Sequence, residues 1–273
     1  MDAAWALWRE YFGGITNGLN KKKAFVYRTP EKIIETKSKV DLTQFSDIYL
    51  DVVRFCGPPT GDYLKYLLGN KRRLDSRTIS KFKICAVGDW KMVEQELKAK
   101  YSLERLREAG VFWPDSDRFL YRGQWILVPF FQGDKIIFLQ GRRLDEGSPR
   151  YLHLKGLPLP LFNTNTLKDA PGNNVYICEG VFDAMIMEQW GYKAVAILGV
   201  NNFKPEYAEL LKEIEVTVGM DNDAAGKQAS FKIMDLLNAT GRKTMVSLLH
   251  LPQGIKDLTD YYSYTLDKLR VKT

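Results

Sequence analysis

Short apolar runs alternate with stretches of helical spacing through the second half of the chain. Runs of this length that are rich in β-branched residues and bounded by glycine, asparagine or proline are typical of buried strands. The intervening stretches have the apolar spacing of helices, so the pattern predicts four strand–helix units and an α/β fold with an open, mostly parallel sheet. The predicted strands are 175–178, 194–198, 215–220 and 244–249, and the predicted helices are 182–190, 206–212, 225–237 and one from about 258.

The first half of the chain has mixed periodicity. Helical spacing dominates up to about residue 110, and two alternating runs, 125–131 and 136–139, then predict a hairpin with its turn at 132–135. Loops rich in glycine and proline at 57–61 and in glycine and asparagine at 169–174 predict boundaries. The expected organisation is a segment of uncertain role at 1–60, a smaller basic α+β subdomain at 61–170 and the α/β domain at 171–273.

Acidic side chains follow three of the predicted parallel strands. Glu179-Gly180 follows the first, Asp221-Asn222-Asp223 the third, and Lys256-Asp257 with Asp260 the fourth. Since ligands of such sheets bind outside the carboxyl ends of the strands, these carboxylates are expected to meet at one edge.

Carboxylate oxygens suit Mg²⁺, which keeps waters and substrate phosphates in its shell. Two such ions about 4 Å apart stabilise phosphoryl transfer, and Glu179 then serves either as a proton shuttle or as a further ligand. Taken singly, Asp-x-Asp is often only a loop that caps a helix. The conjunction of three acidic motifs favours metal-dependent phosphoryl transfer.

Charge and composition narrow the class of protein. The 273 residues carry a formal charge of +7, which fits a polyanionic partner and fits a generally basic soluble protein equally well. Three dispersed cysteines and two histidines predict no zinc site. No signal peptide or long apolar run is recognisable, so a soluble, cytoplasmic protein is expected. Basic residues Lys71, Arg72 and Arg73 lie beside loop formers, where they suit a groove that follows a phosphate backbone or a charged surface loop.

The acidic motifs resemble a known family. Glu179-Gly180 followed by Phe182-Asp183-Ala184, and residues 221–226, are similar to the Toprim domain of DnaG-type primases. Upstream, residues 106–111, 141–144 and 149–152 are similar to the N-terminal subdomain of the primase core, and residues 251–260 to its last acidic motif. The resemblance covers about residues 61–262 and implies a Toprim-type, mostly parallel sheet flanked by helices.

The resemblance also implies roles for individual residues. Mg²⁺ or Mn²⁺ would be the cofactor, and Arg in place of a family Lys at position 150 should still serve phosphate recognition. The implied catalytic residues are Glu179, Asp221 and Asp223; the implied metal ligands are these three with Asp257 and Asp260; the implied nucleotide or template contacts are Arg142, Arg150 and Lys155, beside the basic segment Lys71, Arg72 and Arg73.

The chain departs from the family pattern at both ends. No zinc-binding domain and no helicase-binding domain is recognisable, so the expectation is a minimal or divergent primase core, borne by a phage or mobile element or dependent on partner subunits. Its expected partners are single-stranded DNA, nucleoside triphosphates and a replicative helicase or other replication subunits, with no membrane.

Three functions are weighed. The leading one is the synthesis of short RNA primers on single-stranded DNA by metal-dependent nucleotidyl transfer. The second is a Toprim nuclease, which would have no need of the nucleotide-binding Gly-Arg motif at 141–142. The third is a DNA-binding replication accessory protein without turnover, against which the full acidic set argues.

Overall fold

The computed structural model describes residues 40–170 and 174–271. Its contacts divide the chain into two units, the larger of which is Asp41–Ser263. The other consists of Met1–Val40 and Tyr264–Thr273, and of it the structure describes Val40 and the end of the last helix. Most of the segment predicted at 1–60, residues 1–39, therefore lies outside the described residues.

An antiparallel sheet with surrounding helices occupies the first part of the larger unit. Three of its helices begin at a side chain that accepts a backbone hydrogen bond, for example Asp75 Oδ1 from Thr78 N at 2.6 Å. The sheet order is β1-β2-β3-β4. The strands are β1 (Cys85–Val87), β2 (Trp125–Gln132), β3 (Lys135–Arg143) and β4 (Tyr151–His153), and the helices are α1 (Ser46–Cys56), α2 (Gly61–Leu68), α3 (Ser76–Lys81), α4 (Trp90–Lys100) and α5 (Leu103–Glu108), with 3-10 turns at Leu42–Phe45 and Thr164–Asp169.

A parallel sheet with alternating helices occupies the second part, which confirms the predicted α/β architecture. Its order is β6-β5-β7-β8, so β5 and β7 lie side by side at the centre of the sheet. The strands are β5 (Asn174–Cys178), β6 (Lys193–Ala196), β7 (Glu215–Gly219) and β8 (Val246–Leu248), and the helices are α6 (Val181–Gln189), α7 (Pro205–Leu210), α8 (Ala224–Ala239) and α9 (Leu258–Val271).

The core of the second part is built on the two central strands. Ile177 of β5 and Val218 of β7 are fully buried, together with Val195 of β6. Burial of one aliphatic side chain contributes about 1.5–3 kcal/mol, so these strands hold their carboxyl ends firmly. Among the described helices, none combines the length and apolarity needed to cross a membrane.

Packing continues across the predicted boundary at residue 60. Tyr49 of α1 is fully buried, and its hydroxyl donates to the carbonyl of Ala109 at 2.9 Å. Ile48 and Val52 of the same helix are also fully buried. The division of the chain at residue 60 remains a prediction. Helix α1, which lies before that position, packs against residues that lie after it.

Candidate active site

Glu179 follows β5 and carries the least satisfied carboxylate of the sheet edge. Its backbone carbonyl accepts a hydrogen bond from Gly199 N at 3.1 Å. Its side chain is half-buried, and Oε2 is buried without a hydrogen-bond partner among the residues that the structure describes. Burial, and then the negative charge of Asp223, raise the pKa of Glu179 above its usual range. An unpaired buried carboxylate oxygen of this kind can accept a proton or coordinate a cation.

Asp221 follows β7, the neighbour of β5 in the sheet. Burial raises its pKa to about 7, and the charges of Glu179 and Asp257 add to the shift. Lys256 offsets part of it, since its Nζ lies 4.0 Å from Asp221 Oδ2. Three of the predicted acidic residues, from three different loops, therefore affect one another electrostatically. The sheet order explains this, because adjacent parallel strands end at one edge.

Asp223 caps the helix that begins beside the site. Its Oδ1 accepts a hydrogen bond from Gly226 N at 2.8 Å, which satisfies a free backbone N–H in the first turn of α8. A side chain on Gly226 would collide with the backbone carbonyl of Asp221, so only glycine permits this close turn. Asp223 also raises the pKa of Glu179 and of Asp221. The cap and the acidic site thus share one carboxylate.

Asn222 fastens the loop after β8 to the end of β7. Its backbone N–H donates to the carbonyl of Lys256 at 2.7 Å, and its Nδ2 donates to the carbonyl of Ile255 at 3.0 Å and to that of Pro252 at 3.2 Å. We refer to these bonds as the Asn222 clasp. They hold the residue next in sequence, Asp257, close enough to shift the pKa of Asp221.

The two acidic residues of the last motif lie at the start of α9. Asp257 Oδ1 accepts a hydrogen bond from Asp260 N at 2.8 Å, so Asp257 caps this helix. Burial, and then the charge of Asp257, raise the pKa of Asp260. Asp260 is exposed, whereas Asp257 is half-buried and influences Asp183, Asp221 and Asp260.

Asp183 is an acidic residue of the site to which the sequence analysis assigned no role. It lies in the first turn of α6, where its Oδ1 accepts hydrogen bonds from Thr259 N at 3.1 Å and from Thr259 Oγ1 at 2.8 Å. Burial and the charge of Asp257 raise its pKa to about 7. The sequence did contain a signal for Asp183. It lies in the Phe182-Asp183-Ala184 motif, four residues or about one helical turn after Glu179.

Two arginines share one tyrosine hydroxyl beside this acidic site. Arg72 Nε donates to Tyr66 Oη at 2.9 Å, and Arg142 Nε donates to the same atom at 3.1 Å. Arg142 lies 4.8 Å from the centroid of the Tyr151 ring, and Arg72 lies 4.2 Å from that of Phe182. We call these five residues the paired-arginine face. Because Phe182 directly precedes Asp183, the face adjoins the acidic site.

The remaining basic residues of the predicted site are spread over the surface nearby. Lys71 is exposed in the turn after α2, and Arg150 is exposed in the loop between β3 and β4. The backbone carbonyl of Arg73 accepts a hydrogen bond from Gln189 Nε2 at 2.9 Å. Lys155 Nζ lies 4.6 Å from the centroid of the Trp113 ring. The structure thus brings Arg72 and Arg142 together and holds Lys155 against a different ring.

The acidic residues fit a hard divalent cation by their chemistry. Within residues 40–170 and 174–271, no three or more His, Cys, Asp or Glu side chains are already arranged as a metal-binding group. The carboxylates nevertheless raise one another's pKa, and Glu179 Oε2 lacks a partner. Oxygen donors without sulfur or imidazole suit Mg²⁺ or Mn²⁺.

Comparisons with known proteins agree with the fold. Residues 176–262 match a family model described as Toprim-like. The chain is 30% identical over 205 residues to a DNA primase of Clostridium acetobutylicum, an alignment that includes 70% of this chain and 33% of that protein. It is also 30% identical over 115 residues to the Gene 57 protein of Mycobacterium phage D29, across 40% of this chain and 74% of that protein. The chain thus spans about one third of the length of the Clostridium relative.

A solved structure shares the architecture. The catalytic domain of the DnaG primase bound to single-stranded DNA superposes with a TM-score of 0.68 at 23% identity, covering 85% of this chain and 76% of that one. At this level of identity the likeness concerns the fold. It agrees with a mixed α/β chain in which a parallel sheet follows an antiparallel one.

Proposed function

Because the chain belongs to the family of DnaG-type primase catalytic cores, we propose that it synthesises short RNA primers on a single-stranded DNA template. The contact between the paired-arginine face and the acidic site, through Phe182 and Asp183, carries this proposal. Nucleotidyl transfer uses cationic side chains that bind the triphosphate. Beside them it uses carboxylates that hold metal ions at the reacting phosphate. The DNA-bound relative with the same fold supports a DNA template.

Arg72 and Arg142 bind the incoming nucleoside triphosphate in this proposal. A guanidinium binds phosphate oxygens in a bidentate manner. Arg142 donates to Tyr66 through its Nε, and Arg72 donates to Tyr66 through its Nε and to Tyr151 through its Nη2 at 3.4 Å, so each guanidinium keeps further N–H donors for phosphate. The phosphate backbone of the template contacts a second set of basic side chains, Lys71, Arg73, Arg150 and Lys155. Their contribution depends strongly on salt, because it arises from counterion release.

Glu179 accepts the proton of the reaction. The 3′ oxygen of the growing strand bonds to the α-phosphorus of the nucleotide, and the bond from that phosphorus to pyrophosphate breaks. The proton of the 3′-hydroxyl passes to the Glu179 carboxylate. A carboxylate whose pKa is raised by burial is a better proton acceptor near neutral pH than an ordinary one.

The carboxylates of Asp221, Asp223, Asp257 and Asp260 would hold Mg²⁺ or Mn²⁺, and Glu179 would join them in the alternative in which it is a ligand rather than the proton acceptor. When bound, such ions neutralise the charge that develops on the transferred phosphate and on pyrophosphate. Asp183 accepts two hydrogen bonds from Thr259 and thereby holds the first turn of α9 beside these carboxylates. A replicative helicase or other replication subunits complete the proposed partners.

A primer-synthesis assay tests the proposal. The protein is incubated with single-stranded DNA, labelled ribonucleotides and Mg²⁺ or Mn²⁺, and the products are separated on a denaturing gel. A ladder of short new oligonucleotides is expected with the unmodified chain. It should disappear with Glu179→Gln, whereas DNA binding by that variant stays nearly unchanged.

Two other results would reject primer synthesis. Shortened DNA without new strands, also lost in Glu179→Gln, would make the chain a Toprim nuclease. Full synthesis by Glu179→Gln would remove Glu179 from the reaction. The absence of both products, with DNA binding intact and with a helicase added, would leave a DNA-binding accessory protein.

A further inference from the structure

The proposed reaction joins two nucleotide substrates, and the paired-arginine face accounts for one of them. The sheet order leaves a second flank, since β7 has β5 on one side and β8 on the other. Glu179 and the helix that carries Phe182 follow β5. On the β8 side, a cavity of about 170 Å³ opens between the start of α8 and the end of β8, and Asp221 lines it. Asp221 therefore separates two possible substrate positions.

One part of the cavity wall is apolar. Met220, Leu248 and Leu249 line it. The Phe231 ring, on α8, is 55% exposed and lines the same cavity. An exposed ring beside an apolar wall offers a stacking surface for a flat heterocycle, and every nucleobase has such a face.

Two basic side chains complete the lining. Lys227 lies four residues before Phe231, on the same face of α8, and His250 follows β8. The Lys227 side chain makes no ion pair with any residue that the structure describes. A cation one helical turn from an exposed ring is the combination by which proteins hold single-stranded nucleic acid, with phosphate on the cation and base on the ring.

Hydrogen bonds within the chain hold the walls of the cavity in place. Asn222, which lines it, fixes the opposite wall through the Asn222 clasp, and Leu249 N donates to the carbonyl of Val218 at 2.9 Å. Ser230, also in the lining, spends its hydroxyl on the carbonyl of Gly226 at 2.9 Å. Of the remaining lining side chains, the Phe231 ring, Lys227 and His250 can contact a base or a phosphate, and the Asp221 carboxylate faces the reacting groups. A site whose walls are held in this way loses little entropy on binding.

We propose that this cavity binds one nucleotide of the primer strand, with its base against Phe231 and its phosphate at Lys227 and His250. The inference rests on the proposed function, because it assigns the second substrate of that reaction. It orients the reaction as well: the triphosphate approaches Asp221 from the β5 side and the strand end from the β8 side. A free nucleotide offers the same base and phosphate, so the test separates the two sources.

Binding measurements on the full chain test the assignment. Phe231→Ala and Lys227→Ala are compared with the unmodified protein in two titrations with Mg²⁺, one against a fluorescent RNA primer annealed to a DNA template and one against a fluorescent nucleoside triphosphate. Each variant should weaken primer–template binding by about fivefold or more and leave triphosphate binding unchanged. Arg142→Ala should show the opposite pattern.

Matched controls come from the same region. Lys232→Ala removes an exposed lysine from α8 outside the cavity, and Leu210→Ala removes an apolar side chain that is 50% exposed on α7. Neither should change either affinity. The altered side chains are exposed, so the variants are expected to fold, and their melting temperatures verify this.

Unchanged primer–template binding in both cavity variants, or a loss of triphosphate binding in either, would overturn the assignment. The titrations need no turnover and are repeated in Glu179→Gln. A chain that fails to make primers can therefore still pass or fail this test independently of the proposed function.

Discussion

The guanidinium carbon of Arg72 lies 4.2 Å from the centroid of the Phe182 ring, and Phe182 directly precedes the half-buried residue Asp183. A residue of the antiparallel part of the chain is thus in contact with the first turn of α6 in the parallel part. Cation–π contacts of this type contribute about 0.5–2 kcal/mol. The contact fixes the distance between the cationic and acidic surfaces without an ion pair that would consume either charge.

Tyr66→Phe should raise the apparent KM for the nucleotide by about tenfold and leave kcat within about twofold. The variant keeps the ring but removes the oxygen that accepts from both arginines, and a hydrogen bond to a charged group contributes about 1.5 kcal/mol or more. Steady-state kinetics of primer extension measure both constants. Tyr63→Phe is the matched control, because its hydroxyl donates to the carbonyl of Val87 at 2.7 Å, away from the arginines. Equal effects of the two variants would contradict a positioning role for Tyr66.

Arg142→Ala should raise the nucleotide KM more than it weakens DNA affinity. Arg142 is buried against Tyr66 and Tyr151, so its free donors serve a local ligand rather than a long backbone. Arg143→Ala is the control on the same strand, since neighbouring strand residues face opposite sides and Arg143 pairs with Asp145. Kinetics and DNA anisotropy measure the two effects, with melting temperatures for folding. A larger loss of DNA affinity than of nucleotide affinity would move Arg142 to the template groove.

Asp221→Asn and Asp223→Asn should raise the Mg²⁺ concentration needed for half-maximal synthesis by about tenfold, because each removes one charged oxygen donor. Asparagine is as good a helix cap as aspartate, so Asp223→Asn should keep the bond to Gly226 and the stability of α8. Titration of activity with Mg²⁺ measures the shift. Asp235→Asn, at an exposed position of α8, is the control. Metal titrations that coincide with those of the unmodified chain would exclude the two residues as ligands.

Asp183→Asn should stabilise the metal-free protein at pH 8 more than at pH 5. The folded pKa of Asp183 is about 7 and thus lies above the ordinary value of about 3.9 in the unfolded chain, so the folded state binds the proton more tightly. Stability from this group is present at low pH and is lost as pH rises from about 4 to 7, at roughly 1.4 kcal/mol per pH unit.

Thermal melting in the presence of EDTA measures this effect. Asparagine keeps the oxygen that accepts from Thr259 but carries no charge, so the loss between pH 5 and pH 8 should be smaller in the variant. Asp221, whose pKa burial also raises to about 7, is present in both proteins, so the variant should keep part of the pH dependence. A parallel pH dependence of the two melting temperatures would show that Asp183 does not change its charge in this window.

The parallel sheet could be predicted from the sequence because each of its strands is a short β-branched run followed by a helix. The strands β1 and β4 escaped prediction for a physical reason. Each has three residues, too few to show an alternation, and each exists because a longer neighbour offers backbone partners: Cys85 pairs with Leu127, and Leu152 pairs with Gly141. Tertiary pairing rather than local pattern creates such strands.

The proximity of Glu179 and Asp221 could be predicted because each lies within two residues of the end of a strand, β5 and β7, and these strands are neighbours. Tyr66 and Asp183 could not, since their roles depend on distant partners. Tyr66 resembles any apolar residue of a short helix, and only the folded chain brings Arg142, 76 residues away, to its hydroxyl. Asp183 resembles a helix N-terminal acid until burial against Thr259 is known.

The Asn222 clasp has a consequence for ion size. Glu179 and Asp221 extend from the two central strands, whose spacing the backbone ladder fixes. Asp257, in contrast, follows a loop that two side-chain hydrogen bonds of 3.0 and 3.2 Å and one backbone bond of 2.7 Å tie to Asn222. Such a tether has fewer hydrogen bonds than the ladder between β5 and β7, so the Asp257 side of the proposed metal site is the side that can widen. Ca²⁺ is larger than Mg²⁺ and takes longer bonds and more ligands. Discrimination between the two ions would then depend on how firmly the Asn222 side chain holds its loop, rather than on the sheet.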